Sequence, residues 1–240
     1  MLELYHFGPV ANSLTPLLCL IEKGLAFEDR FLNSRLWQHH APEFRAINPQ
    51  GTVPVLRHAG RVVVESTVIN EYLDETFPEV PLRPADSWER SQMRVWTKFV
   101  DEYLCPALTV LGANNAAPFA SSIDKVEMRA ILERMPNSEI RRKWAIVSNG
   151  GYSPEQLDDA RTRLGRAIER MEAQLAGNGD WFAGGAYSLA DIKLFSMTPG
   201  VERIVPEVCN ATVSPRVHAW LRRVEARPAV RAMFAREYVR

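Results

Sequence analysis

The sequence predicts an α/β domain over residues 1–80 followed by an all-α domain over residues 87–240. Three observations predict it. Strand-like and helix-like segments alternate through the first part. Three prolines then fall within seven residues at PEVPLRP (78–84), stiffening the chain and blocking continuation of helix or ladder. Beyond them the apolar residues recur only at helical spacing.

In order, LELYHF (2–7) reads as a strand, a helix opens near Ser13 and stops at Gly24, and FEDRFL (27–32) is a second strand. That is a β-α-β unit. A helical stretch over 37–47 follows, then VPVLRH and RVVVE, joined hairpin-fashion at Ala59-Gly60, then a helix over 66–77. Past the prolines, helical periods run through Met93, Trp96, Val100 and Tyr103, through Leu157, Leu164, Ile168, Met171 and Leu175, and through Val217, Trp220, Leu221 and Val224. Residues 114–151, interrupted by Pro118, Pro136 and Gly150-Gly151, are less regular; a short helix over 122–135 and a covering loop are expected there.

Lysine plus arginine equals aspartate plus glutamate at 29 each, so no global field draws the chain to nucleic acid or an anionic membrane. The seven arginines of the C-terminal run from Ser214 lie opposite an apolar helical face and read as solvated surface. With no span-length apolar run and no basic-then-apolar leader, a cytoplasmic protein is expected. Cys19, Cys105 and Cys209 are odd in number and never C-x-x-C, and none of the five histidines pairs with them at zinc-ligand spacing, so neither disulfides nor a metal are expected.

Two junctions carry chemistry. In INPQGTVPVL, Pro54 either starts an edge strand in trans or, if cis, leaves the Val53 backbone free to pair with an extended peptide. At VVVESTVINEYL, Glu65 and Ser66 lie where strand becomes helix; the free N–H groups there suit a carboxylate, though on these residues alone a plain N-cap with a dipole-compensating acid is the readier explanation. In YSLADI, Ser188 and Asp191 form a capping box, which makes Asp191 structural.

The order of elements, INPQGTVPVL, Glu65-Ser66, the proline linker and the helical second half together resemble a cytosolic glutathione S-transferase over nearly the whole chain. The resemblance implies a thioredoxin-like first domain and a cis Val53-Pro54 bond, with the Val53 backbone pairing with the cysteinyl part of glutathione. It also implies that Glu65 and Ser66 hold the γ-glutamyl carboxylate. A side chain near the glycyl end is implied too, His39 or His40, the alternative for that pair being a solvated helix face. A homodimer is the family's habit.

FGPVANSLTPL, VVESTVINEYL, LRPAD, SQMRVWTKFVDEY and YSLADI are further similar to bacterial glutathione-dependent β-etherases, which cleave aryl ethers of lignin fragments. That branch presents asparagine and serine where other transferases present tyrosine or cysteine, which makes Asn12 and Ser13 the expected catalytic pair, stabilising the glutathione thiolate. The expected partners are glutathione and a small aromatic electrophile. Tyr103, Leu104, Leu108, Trp144 and Tyr152 are candidates for the electrophile pocket or equally for the core; Trp144, amid Arg141, Arg142 and Lys143, is the strongest. Alternatives are turnover of another electrophile, glutathione-disulfide reduction, or a non-catalytic binding protein of the same fold.

Overall fold

The computed structural model describes residues 1–238. β1 (Leu2–His6) alternates, burying Leu2, Leu4 and His6, and leads into α1 (Ala11–Glu22) and β2 (Glu28–Phe31). After α2 (Pro42–Arg45), β3 (Val55–His58) and β4 (Arg61–Val64) form a hairpin that hands over to α3 (Ser66–Thr76). The sheet order is β2-β1-β3-β4, with β1 parallel to β2 and the other two pairings antiparallel. The parallel pair needs a crossover, and α1, with Leu14, Leu17, Leu18 and Leu20 buried, supplies it.

The helix expected over 37–47 is instead two 3₁₀ turns, Ser34–Leu36 and Gln38–His40, followed by the one-turn α2. Two residues break it. Trp37 is left-handed at φ 54°, and Ala41, which precedes Pro42, is held extended at φ −66°, ψ 146°.

The second half opens with α4 (Ser87–Phe99), capped by the Asp86 carboxylate. A π-helical turn, Val100–Leu104, passes directly into α5 (Cys105–Asn114). Pro106 has no N–H to give to the preceding turn, and the wider turn lies just ahead of it. The irregular 114–151 segment holds three helices, α6 (Ala117–Ser122), α7 (Lys125–Arg134) and α8 (Ser138–Ser148); α7 is the short helix expected over 122–135, whereas α6 and α8 stand where a covering loop was expected. Asp124 and Asn137 start the last two by accepting first-turn N–H groups. They bury little, mainly Ala120, Met128 and Val147, in a small cluster of their own.

The long α9 (Pro154–Asn178) starts at a Ser153–Gln156 capping box. It is followed by α10 (Leu189–Phe195), α11 (Thr198–Ile204), α12 (Pro215–Glu225) and α13 (Pro228–Phe234). Every residue of α10 is buried. Asp191 accepts from the Ser188 backbone and hydroxyl, from Phe182 N–H and from Trp220 Nε1, so it ties the start of α10 to α12.

One continuous core joins the two halves, from Leu4, Leu17 and Ile69 through to Phe195 and Trp220. Polar ties reinforce the junction. The buried Lys23 ammonium meets Asp74 at 2.8 Å, and Asp74 also accepts the Leu82 N–H, fixing the proline-rich segment against α3. Residues 236–238 return to β2: Asp29 accepts from His6, Arg236 and Tyr238, and the Tyr238 ring stacks on Phe31 at 4.9 Å.

Candidate active site

A cleft of about 820 Å³ lies between the halves, within the usual range for small-molecule sites. The first half contributes the β1–α1 turn, the 34–39 segment, the 51–54 turn and the start of α3; the second contributes α8 and residues around Asn115 and Phe119.

At the head of α1, Asn12 lines this cleft. Its Oδ1 accepts from the Lys193 ammonium at 3.1 Å. Lysine can only donate, so the amide orientation is determined: Nδ2 is the free end, with one contact to Cys105 Sγ at 4.0 Å. Ser13 differs. It is buried, its Oγ accepts the Phe7 N–H at 3.1 Å, and it does not line the cleft. Of the expected pair Asn12 alone lines the cleft, while the Ser13 hydroxyl oxygen closes the β1–α1 turn that positions its neighbour. No serine or aspartate caps α1; Val10 stands at the cap with no side-chain bond.

Lys193 is the hub, and sequence reasoning missed it. Its ammonium meets Asp101 Oδ1 at 2.7 Å, Ser66 Oγ at 2.7 Å and Asn12 Oδ1 at 3.1 Å, three acceptors for three N–H donors. The π-helical turn carries Asp101, whose other oxygen accepts the Thr67 hydroxyl at 2.7 Å. A π turn at a functional cleft is a recurring arrangement. The available signal was a lysine inside the apolar run LADIKLF, because an ammonium is buried only with partners.

Glu65 and Ser66 line the cleft beside Val53 and Pro54. Glu65 is the residue before α3, at φ 68°, ψ 115°, a conformation costing a non-glycine residue about 1–3 kcal/mol. It makes no capping bond, so the first-turn N–H groups of α3 keep no side-chain cap and Ser66 is the first helical residue rather than the cap. The Val53-Pro54 peptide is cis.

His39 and His40 are both buried, which removes the solvated-face alternative. Only His39 lines the cleft, with its Nδ1 unpartnered. Burial pulls its pKa down to about 3, helped by His40 and Lys143, so it is neutral at pH 7. His40 packs instead against the 48–51 turn, where a Cβ on Gly51 would lie 2.7 Å from its Nδ1. Trp37 meets Trp144 across the cleft, edge to face at 5.0 Å, joining the 3₁₀ segment to α8.

Of the five electrophile-pocket candidates, Trp144 alone lines this cleft. Leu104 is in the main core, Leu108 packs against Gly200, and Tyr103 stacks on Phe99 at 5.4 Å beneath the Arg163 guanidinium. Tyr152 packs on the small α6–α8 cluster. The lining positions are taken by Phe119, Ile140 and Lys143.

The glutathione S-transferase N-terminal domain model matches residues 11–76 and the C-terminal domain model matches residues 126–228. Protein LigF of Sphingobium sp. (strain NBRC 103272 / SYK-6) is 42% identical over 240 residues, covering 97% of this chain and 93% of that protein. The chain belongs to the glutathione S-transferase family. This transferase is also similar to the crystal structure of Beta-etherase LigF from Sphingobium sp. strain SYK-6, with a TM-score of 0.93 and 41% identity over 97% of this chain and 98% of that one. Glutathione S-transferase 3 of Zea mays is more distant, 26% identical over 95% of this chain and 90% of that protein. The family's fold, a thioredoxin-like sheet domain followed by a helical domain, is the one described above.

Proposed function

We propose that this transferase is a glutathione-dependent β-etherase acting on lignin-derived aryl ether ketones. What carries the reading is the similarity to Beta-etherase LigF along nearly the full length of both chains. The cleft's chemistry fits glutathione. Ser66, which accepts from Lys193 and keeps its hydroxyl hydrogen to donate, and the uncapped first turn of α3 suit the γ-glutamyl carboxylate, and Glu65 its ammonium. The Val53 backbone serves the cysteinyl part, and His39 with Arg35 the glycyl end.

The sulfur then falls to the Asn12 amide. A free thiol has a pKa near 8.5, and a hydrogen bond to a charged acceptor contributes about 1.5–3 kcal/mol, enough to lower it by about one to two units. The thiolate displaces a phenolate from the carbon beside the ketone, giving a glutathione thioether and a phenol. The aromatic side of the cleft, Trp37, Trp144 and Phe119, holds the electrophile. A homodimer in the cytoplasm is part of the same proposal, supported by family membership.

Incubation with glutathione and a model aryl ether ketone tests it. Stoichiometric phenol and thioether are expected. Glutathione binding without thioether would discard the etherase reading and leave a transferase for another electrophile.

A further inference from the structure

Lys143 differs from the other charged groups of the cleft. Among the described residues its ammonium has no hydrogen bond and no carboxylate partner; its one described contact is the Trp144 ring, 5.6 Å from Nζ to centroid. Glu139 lies one helical turn earlier, in the register that favours an ion pair, and also lines the cleft, yet the pair is not made. A half-buried ammonium without a counter-charge is unfavourable unless something else supplies one. Burial pulls its pKa below the ordinary lysine range.

Lys143 lines the cleft with Phe119, Ile140 and Trp144 as apolar neighbours, and with Asn12 and His39 contributed by the first half. Arg35 supplies a cation to the glycyl end from the first half, whereas Lys143 belongs to α8, the wall that faces the electrophile.

We infer that Lys143 is a further catalytic residue, its ammonium holding the departing aryloxide oxygen and protonating it. This rests on the etherase reading above. The sulfur lone pair forms the new C–S bond while the C–O bond breaks and its electron pair goes to the aryloxy oxygen. A proton passes from Nζ to that oxygen, giving the free phenol; the neutral amine takes a proton back from solvent, which gained one when the glutathione thiol ionised. Phenol and lysine both have ordinary pKa values of about 10, so proton transfer between them is close to balanced, and the burial that lowers the lysine favours it.

The test compares wild type, Lys143→Met and Lys143→Arg on aryloxy ketones whose leaving groups run from unsubstituted phenol to an acidic nitrophenol. Glutathione affinity and the titration of the bound thiol are measured alongside. For Lys143→Met a loss of about 100-fold in kcat is expected with phenol, and under about 10-fold with nitrophenol, which needs no acid. Glutathione affinity stays unchanged, and the rise in the thiol titration that follows from removing a nearby cation acts on both leaving groups alike. Lys143→Arg keeps the charge but is too weak an acid to donate, and recovers only part of the loss. An equal loss with both leaving groups, or weaker glutathione binding, would each overturn the assignment while leaving the etherase reading intact. A wild type that binds glutathione but releases no phenol from any of them removes both.

Discussion

Asn12 and Ser13 are adjacent in sequence but do different things. The Lys193 ammonium leaves the Asn12 amide only one way round, donor end free, while the Ser13 hydroxyl oxygen accepts the Phe7 N–H. Asn12→Ala is expected to raise the pH at which bound glutathione ionises by about one to two units, read from thiolate absorbance. Ser13→Ala should act mainly by loosening the turn, with a smaller shift; equal shifts would mean that the hydroxyl also reaches the sulfur. His39 makes a different kind of prediction. Its pKa in the fold, about 3, lies below the ordinary 6.5, so between those values the unfolded chain binds a proton that the fold refuses. The stability present above pH 6.5 is therefore lost as pH falls toward 3, at about 1.4 kcal/mol per unit for this group. His39→Gln should flatten that acid-side decline in urea titrations at pH 7, 5 and 4, and parallel declines would exclude His39 as its source. At this scale the residues next to backbone punctuation were legible: Val53-Pro54 and Glu65-Ser66 stand together on the cleft. Lys193 and Asp101 were not, because their roles come from contacts across long sequence separation.

Among the elements, the π-helical turn at Val100–Leu104 does the most for the cleft, since it carries the carboxylate that neutralises Lys193. Asp101→Ala leaves a buried ammonium without its counter-charge. Because Asp101 is itself half-exposed, the cost is expected at about 2 kcal/mol, below that of breaking a fully buried pair. The variant should also bind glutathione more weakly, by calorimetric titration, as Ser66 and Asn12 lose a fixed partner. Unchanged affinity would show that Lys193 holds its position without Asp101. The strands, α1, α3 and the long second-half helices follow from apolar period and turn residues. α6 and α8 escaped because each is short and buries only a few side chains, so no stripe develops that is long enough to read. The 34–45 segment escaped for another reason: Trp37 adopts a left-handed conformation that its residue type does not advertise, and Ala41 is extended by the proline after it.

At the scale of the whole molecule, the chain's last described residues return to its first sheet. Tyr238 stacks on Phe31 and donates to Asp29, whose carboxyl is pushed up by burial but held below its ordinary range by His6, Tyr238 and Arg236. Tyr238→Ala is expected to cost about 1–3 kcal/mol and to speed amide hydrogen exchange along Glu28–Phe31. Exchange confined to the tail itself would mean that β2 does not depend on it. The α/β-then-helical architecture was legible from composition and period alone, whereas the sharing of one core between the halves was not, since period reports which face is apolar and not what covers it. The Lys193 hub has a practical corollary for recombination. A chimera joining this sheet domain to a relative's helical domain would keep its strands and its cis proline, yet if the donor lacks a lysine at the matching place, Asn12 would be free to flip and Ser66 would lose its cation. Interchangeable parts at the level of architecture are not interchangeable at the level of chemistry.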